Sequence, residues 1–165
     1  MHARHVPVYL VLLGVLNTVY AGFDEGFSAF QRGDFTAALR EWRPLAEQGN
    51  AAAQSNLGMM YVQGKGVPQD FKEAIKWYRL AAEQGAALAR SNLGVLYANG
   101  YGVPQNHVVA YALFSLAAAS APDSIALEER DRITASMTPQ EIEAAQKLTQ
   151  DMSGNPIKAI DAYLH

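Results

Sequence analysis

Catalysis needs a base, an acid or a nucleophile held beside a partner, and few residues of this 165-residue chain qualify. Beyond residue 21 the histidines are His107 and His165, and cysteine is missing from the chain altogether. The two histidines do not stand at metal-ligand spacing, so no zinc centre is expected. Gly64-Lys65-Gly66 and Gly100-Tyr101-Gly102 invite a phosphate-binding reading. They lack the spacing and the Ser/Thr of a phosphate loop, and they lie between two helices with no strand before them. A turn with two unusual backbone angles accounts for them better. Glu128 and Asp131 fall in a mixed cluster, Glu128-Glu129-Arg130-Asp131-Arg132, which reads as a solvated helix face without the burial that tunes a catalytic carboxylate. Trp42 and Trp77 could stack a ligand, but their spacing suits a core role between neighbouring helix pairs. No catalytic residue, cofactor or metal ligand is expected, and the chain does not read as an enzyme.

The elements that would position such residues are set by an internal repeat. Ala51 to Gly85 returns as Ala87 to Ala121. Asn56-Leu57-Gly58 returns as Asn92-Leu93-Gly94, Tyr61 as Tyr97, and Gly64-Lys65-Gly66-Val67-Pro68-Gln69 as Gly100-Tyr101-Gly102-Val103-Pro104-Gln105, always 36 positions on. A fixed period of this size marks stacked units that bury their apolar faces against one another. Ala53, Leu57, Met60 and Tyr61 fall at helical spacing. Gly64 stands at a helix C-cap and Pro68 stops any continuation. Asp70 with Glu73 starts a second helix through Ala74, Ile75, Tyr78 and Ala81-Ala82 to Gln84. Gly58 and Gly94 lie inside the first helix of their units, where glycine costs about 1 kcal/mol against alanine. Their recurrence predicts that the paired helix crosses too closely for a Cβ.

The pattern Asn-Leu-Gly-x-x-Tyr-x-x-Gly-x-Gly-Val-Pro-Gln, followed by Ala and then Ala-Ala, resembles the Sel1-like repeat, a relative of the tetratricopeptide repeat. The resemblance implies an all-α fold, an α/α solenoid of helix pairs, and a protein–protein interaction or adaptor role. It covers residues 51 to about 120 closely and is weaker on either side. The cysteine-rich branch of such proteins, with paired cysteines stapling each repeat, has no counterpart here.

The flanks complete the organisation. Arg4, the apolar run Val8 to Leu16 and Val19-Tyr20-Ala21 read as a signal peptide over residues 1–21. The run is short of the roughly 20 residues of a membrane span. Without this segment, 12 basic side chains face 16 acidic ones, a charge of −4, which argues against nucleic-acid or anionic-membrane binding. Residues 22–50 read as a divergent first unit, registered by Phe30 and Gly33 on Tyr61 and Gly64 with five loop residues missing. Phe27 then replaces the helix glycine, predicting looser packing. Residues 51–86 and 87–122 are the two full units, and 123–165 the C-terminal cap. Helix 107–120 is apolar nearly all round and must be covered by the C-terminal segment. Thr138-Pro139-Gln140-Glu141 is a strong helix start, and 157–165 reads as a tail with at most one helical turn.

With no chemistry in view, the leading expectation is an exported, periplasmic or secreted, adaptor of the cell envelope that binds a protein or peptide. Two other classes stand beside it: a periplasmic small-ligand or glycan-binding module, and, behind both, a hydrolase. In the related tetratricopeptide fold the first helix of each unit lines the concave face. By that resemblance and helical geometry the binding row is Ser55, Met59, Val62 and Gln63, then Ser91, Val95, Ala98 and Asn99. Asp24, Ser28, Gln31 and Arg32 extend it in the shortened unit.

Overall fold

A computed structural model describes residues 21–121 and 125–165. The signal-peptide reading of residues 1–21, all but Ala21, and the break at Pro122-Asp123 lie outside the described residues. Those described form helices alone: α1 (21–31), α2 (Phe35–Glu47), α3 (Ala51–Gln63), α4 (Phe71–Glu83), α5 (Ala87–Asn99), α6 (His107–Ser120), α7 (Ile125–Thr134), α8 (Pro139–Asp151) and α9 (Pro156–Leu164). Three helix pairs, α1–α2, α3–α4 and α5–α6, stack in chain order as an α/α solenoid. Polar residues fix most helix starts. Asp34, Asn50, Asp70, Asn106 and Asn155 each accept a hydrogen bond from the backbone N–H three residues on.

The glycine inside each first helix is where the paired helix crosses. A Cβ on Gly58 would lie 2.7 Å from the ring of Tyr78, and one on Gly94 2.8 Å from the ring of Phe114. Tyr78 and Phe114 stand 36 positions apart, as do the glycines. The close crossing expected from the sequence is therefore real. The first unit keeps it too, against expectation: a Cβ on Gly26 would lie 2.4 Å from Trp42, the residue 36 before Tyr78. Phe27 does not replace the glycine; it comes directly after it. The register taken from Phe30 and Gly33 is off by one residue: all three first helices end five residues past their glycine, but Gly33 follows Gly26 by seven residues where Gly64 follows Gly58 by six. Trp42 is fully buried and its Nε1 donates to the Phe23 carbonyl at 3.1 Å.

The glycine-rich loops are the tight turns the sequence suggested. Gly64 and Gly100 take left-handed φ values of 65° and 72° as C-caps. Gly66 and Gly102, also left-handed, run against the start of the preceding unit's second helix, where a Cβ would meet the Phe35 carbonyl oxygen or Phe71 Cβ at 2.8 Å. Gln69 and Gln105 close the turns from below, each donating its amide to a backbone carbonyl (Val62, Ala98) at 2.7 Å. Lys65 lies over the Phe30 and Phe35 rings at 5.0 and 5.1 Å. Tyr101, one period later, stacks on Phe71 with ring centroids 5.0 Å apart. The lysine thus closes an aromatic edge.

The C-terminal cap departs from the simple stack. α6 packs against α5, α7 and α8, which explains its apolar circumference. α8 begins with a full capping box: Glu141 accepts from the Thr138 backbone N–H at 2.7 Å and from its hydroxyl at 2.9 Å. These bonds hold its carboxyl below the usual range. The segment 157–165 is no loose tail. α9 is a nine-residue helix that buries Ile157 and Ile160 and returns to pack on α8 and on α4. Asn155-Pro156 repeats the cap-then-proline signature of Thr138-Pro139, and that signal was available in the sequence. Arg79 of α4 donates to both carboxylate oxygens of Asp161 at 2.7 and 2.6 Å.

Candidate functional site

Glycine positions sort the first helices by face. The glycine points at the second helix, so the residues one and five places later share another face, one turn apart. In α1 these are Phe27 and Gln31, in α3 Met59 and Gln63, in α5 Val95 and Asn99. Phe27 is 48% exposed, Met59 and Val95 are half-buried, and all three amide residues are exposed. Each unit therefore presents one apolar side chain followed by one amide, the same pair three times over. Asn99 donates to the Val95 carbonyl of its own helix at 2.8 Å.

Several residues expected in this row lie elsewhere. Ser55 is only 4% exposed, and its hydroxyl donates to the Ala51 carbonyl at 2.8 Å, so it serves its own helix. Ala98 is likewise 4% exposed, against the core. Both lie on the flank of the helix that the neighbouring elements cover. Val62 is half-buried on the same core, and Ser91 is half-buried. Asp24, Ser28 and Arg32 are exposed but share a cleft of about 360 Å³ with Glu25, Ala37, Arg40 and Glu41. They face α2, the second helix of their own unit, and Phe27 takes the place assigned to Ser28. Sequence reasoning missed Phe27 because it aligned the turn glycines Gly33 and Gly64; aligning Trp42 with Tyr78 and Phe114 would have found Gly26 and then Phe27.

The groups with chemical potential are engaged in structure. His107 opens α6 and lines a cleft with Glu141, whose carboxylate caps α8. The charged cluster of α7 pairs within itself, Arg132 with Glu129 at 2.6 Å and Arg130 with Asp131 at 2.9 Å. Trp77 is half-buried against the N-terminal core, with its Nε1 buried and unpaired among the described residues. Burial pushes the Tyr78 phenol well up, with Asn92 acting in the opposite sense through a hydrogen bond. Burial also raises the Tyr97 phenol, against the pull of the Arg79 charge. Burial would loosen the proton on Arg79, and Asp161 more than offsets this through its hydrogen bond and charge. Among the described residues no three His, Cys, Asp or Glu side chains are grouped to hold a metal ion. No described helix is long and apolar enough to cross a membrane.

Comparison with known proteins agrees with this architecture. A family model described as the Sel1 repeat matches residues 51–85 and 87–121. The solved structure of c5321, a protective antigen present in uropathogenic Escherichia coli strains and displaying an SLR fold, is 32% identical with a TM-score of 0.79. That alignment covers 86% of this chain and 31% of the antigen, so this chain spans under a third of that protein's length. A Sel1 repeat protein from Oxalobacter formigenes is 33% identical with a TM-score of 0.60, over 69% of this chain and 88% of that one. No curated protein matches.

Proposed function

Since the chain belongs to the Sel1 repeat family, we propose that it is a non-catalytic docking protein of the cell envelope, exported across the inner membrane, that holds a partner protein or peptide on the concave face lined by its first helices. The observation that carries this reading is the threefold recurrence of Phe27–Gln31, Met59–Gln63 and Val95–Asn99 on that face. Apolar side chains at regular spacing give contact area, and amides one turn later offer donors and acceptors to a polypeptide backbone. Arg32 lies off the row, so the row carries no base to attract nucleic acid.

Site-specific photo-cross-linking in the host tests the surface. A photoreactive residue at position 59 or 95 should give one discrete protein adduct, and the same residue at Lys72 on α4 should give none. With the partner in hand, Met59→Glu and Asn99→Arg should each weaken binding more than about tenfold at an unchanged melting temperature. Equal cross-linking from both helices, or undiminished affinity in both variants, would remove the assignment. The export reading rests on Arg4, the apolar run and Val19-Tyr20-Ala21. Intact-mass measurement of protein from its host should find a chain beginning at Gly22, and full-length protein in the cytosol would sink it.

A further inference from the structure

The outer face of α4 is a seat, and α9 occupies it. Its residues are Lys76, Arg79, Leu80 and Glu83, which line a cleft with Ile157, Lys158 and Asp161 of α9. Asp161 locks onto Arg79, and Arg79 in turn lies beside the Tyr97 hydroxyl of the next unit. Shifting the four seat residues by one period gives Arg40, Arg43, Pro44 and Glu47 on α2. The chemistry is the same in order: a base, an arginine, an aliphatic side chain, a glutamate. Arg43 is also held in the same way, donating to the hydroxyl of Tyr61, the residue one period before Tyr97, at 3.0 Å. What differs is the occupant. α8 lies on α6 and α9 on α4, while neither packs comparably on α2; there Arg40 pairs with Glu41 beside the cleft against α1, and among the described residues no carboxylate pairs with Arg43.

We infer that the outer face of α2 is a second docking surface, built to receive an amphipathic helix of another protein that carries an apolar residue and, four positions on, an aspartate or glutamate. The spacing is that of Ile157 and Asp161, the pair with which α9 enters the equivalent seat. An arginine already oriented by a neighbouring hydroxyl loses little further freedom on meeting a carboxylate, and guanidinium–carboxylate pairing fixes direction as well as position. This surface is separate from the row on the first helices, and neither depends on the other.

The probe is a synthetic peptide of residues 153–165, held helical by a side-chain cross-link, titrated into the isotope-labelled full chain. Amide shifts should appear on α2 and at Tyr61. Arg43→Glu, checked for an unchanged melting temperature, should weaken the response about tenfold or more. A peptide carrying Asp161→Lys should fail on the wild-type chain and recover on the Arg43→Glu chain. Silence at α2, or a response there indifferent to both charge reversals, overturns the inference. Shifts confined to α4 and α5 also overturn it, since the peptide would then merely exchange with the resident α9. Peptide-free dimerisation lost in Arg43→Glu would assign the seat to a second copy and overturn the occupant named here.

Discussion

Alanine in place of Gly58 should destabilise the protein by about 1–3 kcal/mol, although alanine is the better helix former by about 1 kcal/mol. The added Cβ would sit 2.7 and 2.8 Å from two carbons of the Tyr78 ring, closer than real contacts allow. Tyr78 is buried, so its ring has no open side to move into. The clash therefore falls on the helix crossing, and α3 and α4 must separate or tilt. Gly94→Ala, 2.8 Å from the Phe114 ring, should behave alike, and Gly58→Leu should be worse than either. Denaturant melts of Gly58→Ala, Tyr78→Leu and the double variant check the mechanism. The double variant should recover part of the loss, because the two residues share one contact. A more stable Gly58→Ala protein would falsify the close crossing.

Gly66→Ala should cost more still, roughly 2–4 kcal/mol, because two effects add. A left-handed backbone angle costs a non-glycine residue about 1–2 kcal/mol, and Gly66 has φ of 72°. Its Cβ would in addition stand 2.8 Å from the carbonyl oxygen of Phe35, and a helix backbone cannot swing aside as a side chain might. Gly33 supplies the control: φ is 79°, yet nothing lies within 4 Å of an added Cβ. Gly33→Ala should therefore show the backbone cost alone. Comparable losses at both positions in chemical denaturation would mean that the loop at Gly66 does not press on α2 as described. Gly102, against Phe71, should behave like Gly66.

The sequence carried the solenoid because its repeat is written in side chains that cannot be exchanged freely. Gly58 and Gly94 are required by a ring, Gly66 and Gly102 by a backbone, and Gln69 and Gln105 by a carbonyl. Such residues recur at 36, and the period gives both the unit and its internal turn. Where the constraint is weaker, the reading slipped. In the first unit the turn carries one more residue before its glycine, so alignment of Gly33 with Gly64 put Phe27 where Gly26 belongs, although the crossing itself is unchanged. α9 went unread since its nine residues make a marginal helix alone, and what stabilises it is packing on distant α4 and α8. The exposure of the proposed row was half legible. Helical geometry places Met59, Gln63, Val95 and Asn99 on an open face, but periodicity alone does not reveal how far neighbouring elements reach round the flank to cover Ser55 and Ala98.

The return of α9 to α4 changes how this solenoid should fold. Stacked units ordinarily meet only their neighbours in the chain, so folding nucleates anywhere and spreads at little entropic cost. Arg79 and Asp161 are 82 residues apart, and joining them closes a loop that contains all of α5 to α8. That one closure raises the contact order of an otherwise local topology, which slows folding while binding the second unit's fate to that of the cap. On the ribosome, α4 emerges and pairs with α3 long before residues 156–164 exist. Its outer strip of Lys76, Arg79, Leu80 and Glu83 waits uncovered through that interval. The last helix then acts as a clasp, and the middle of the chain becomes resistant to local opening only when the clasp is shut.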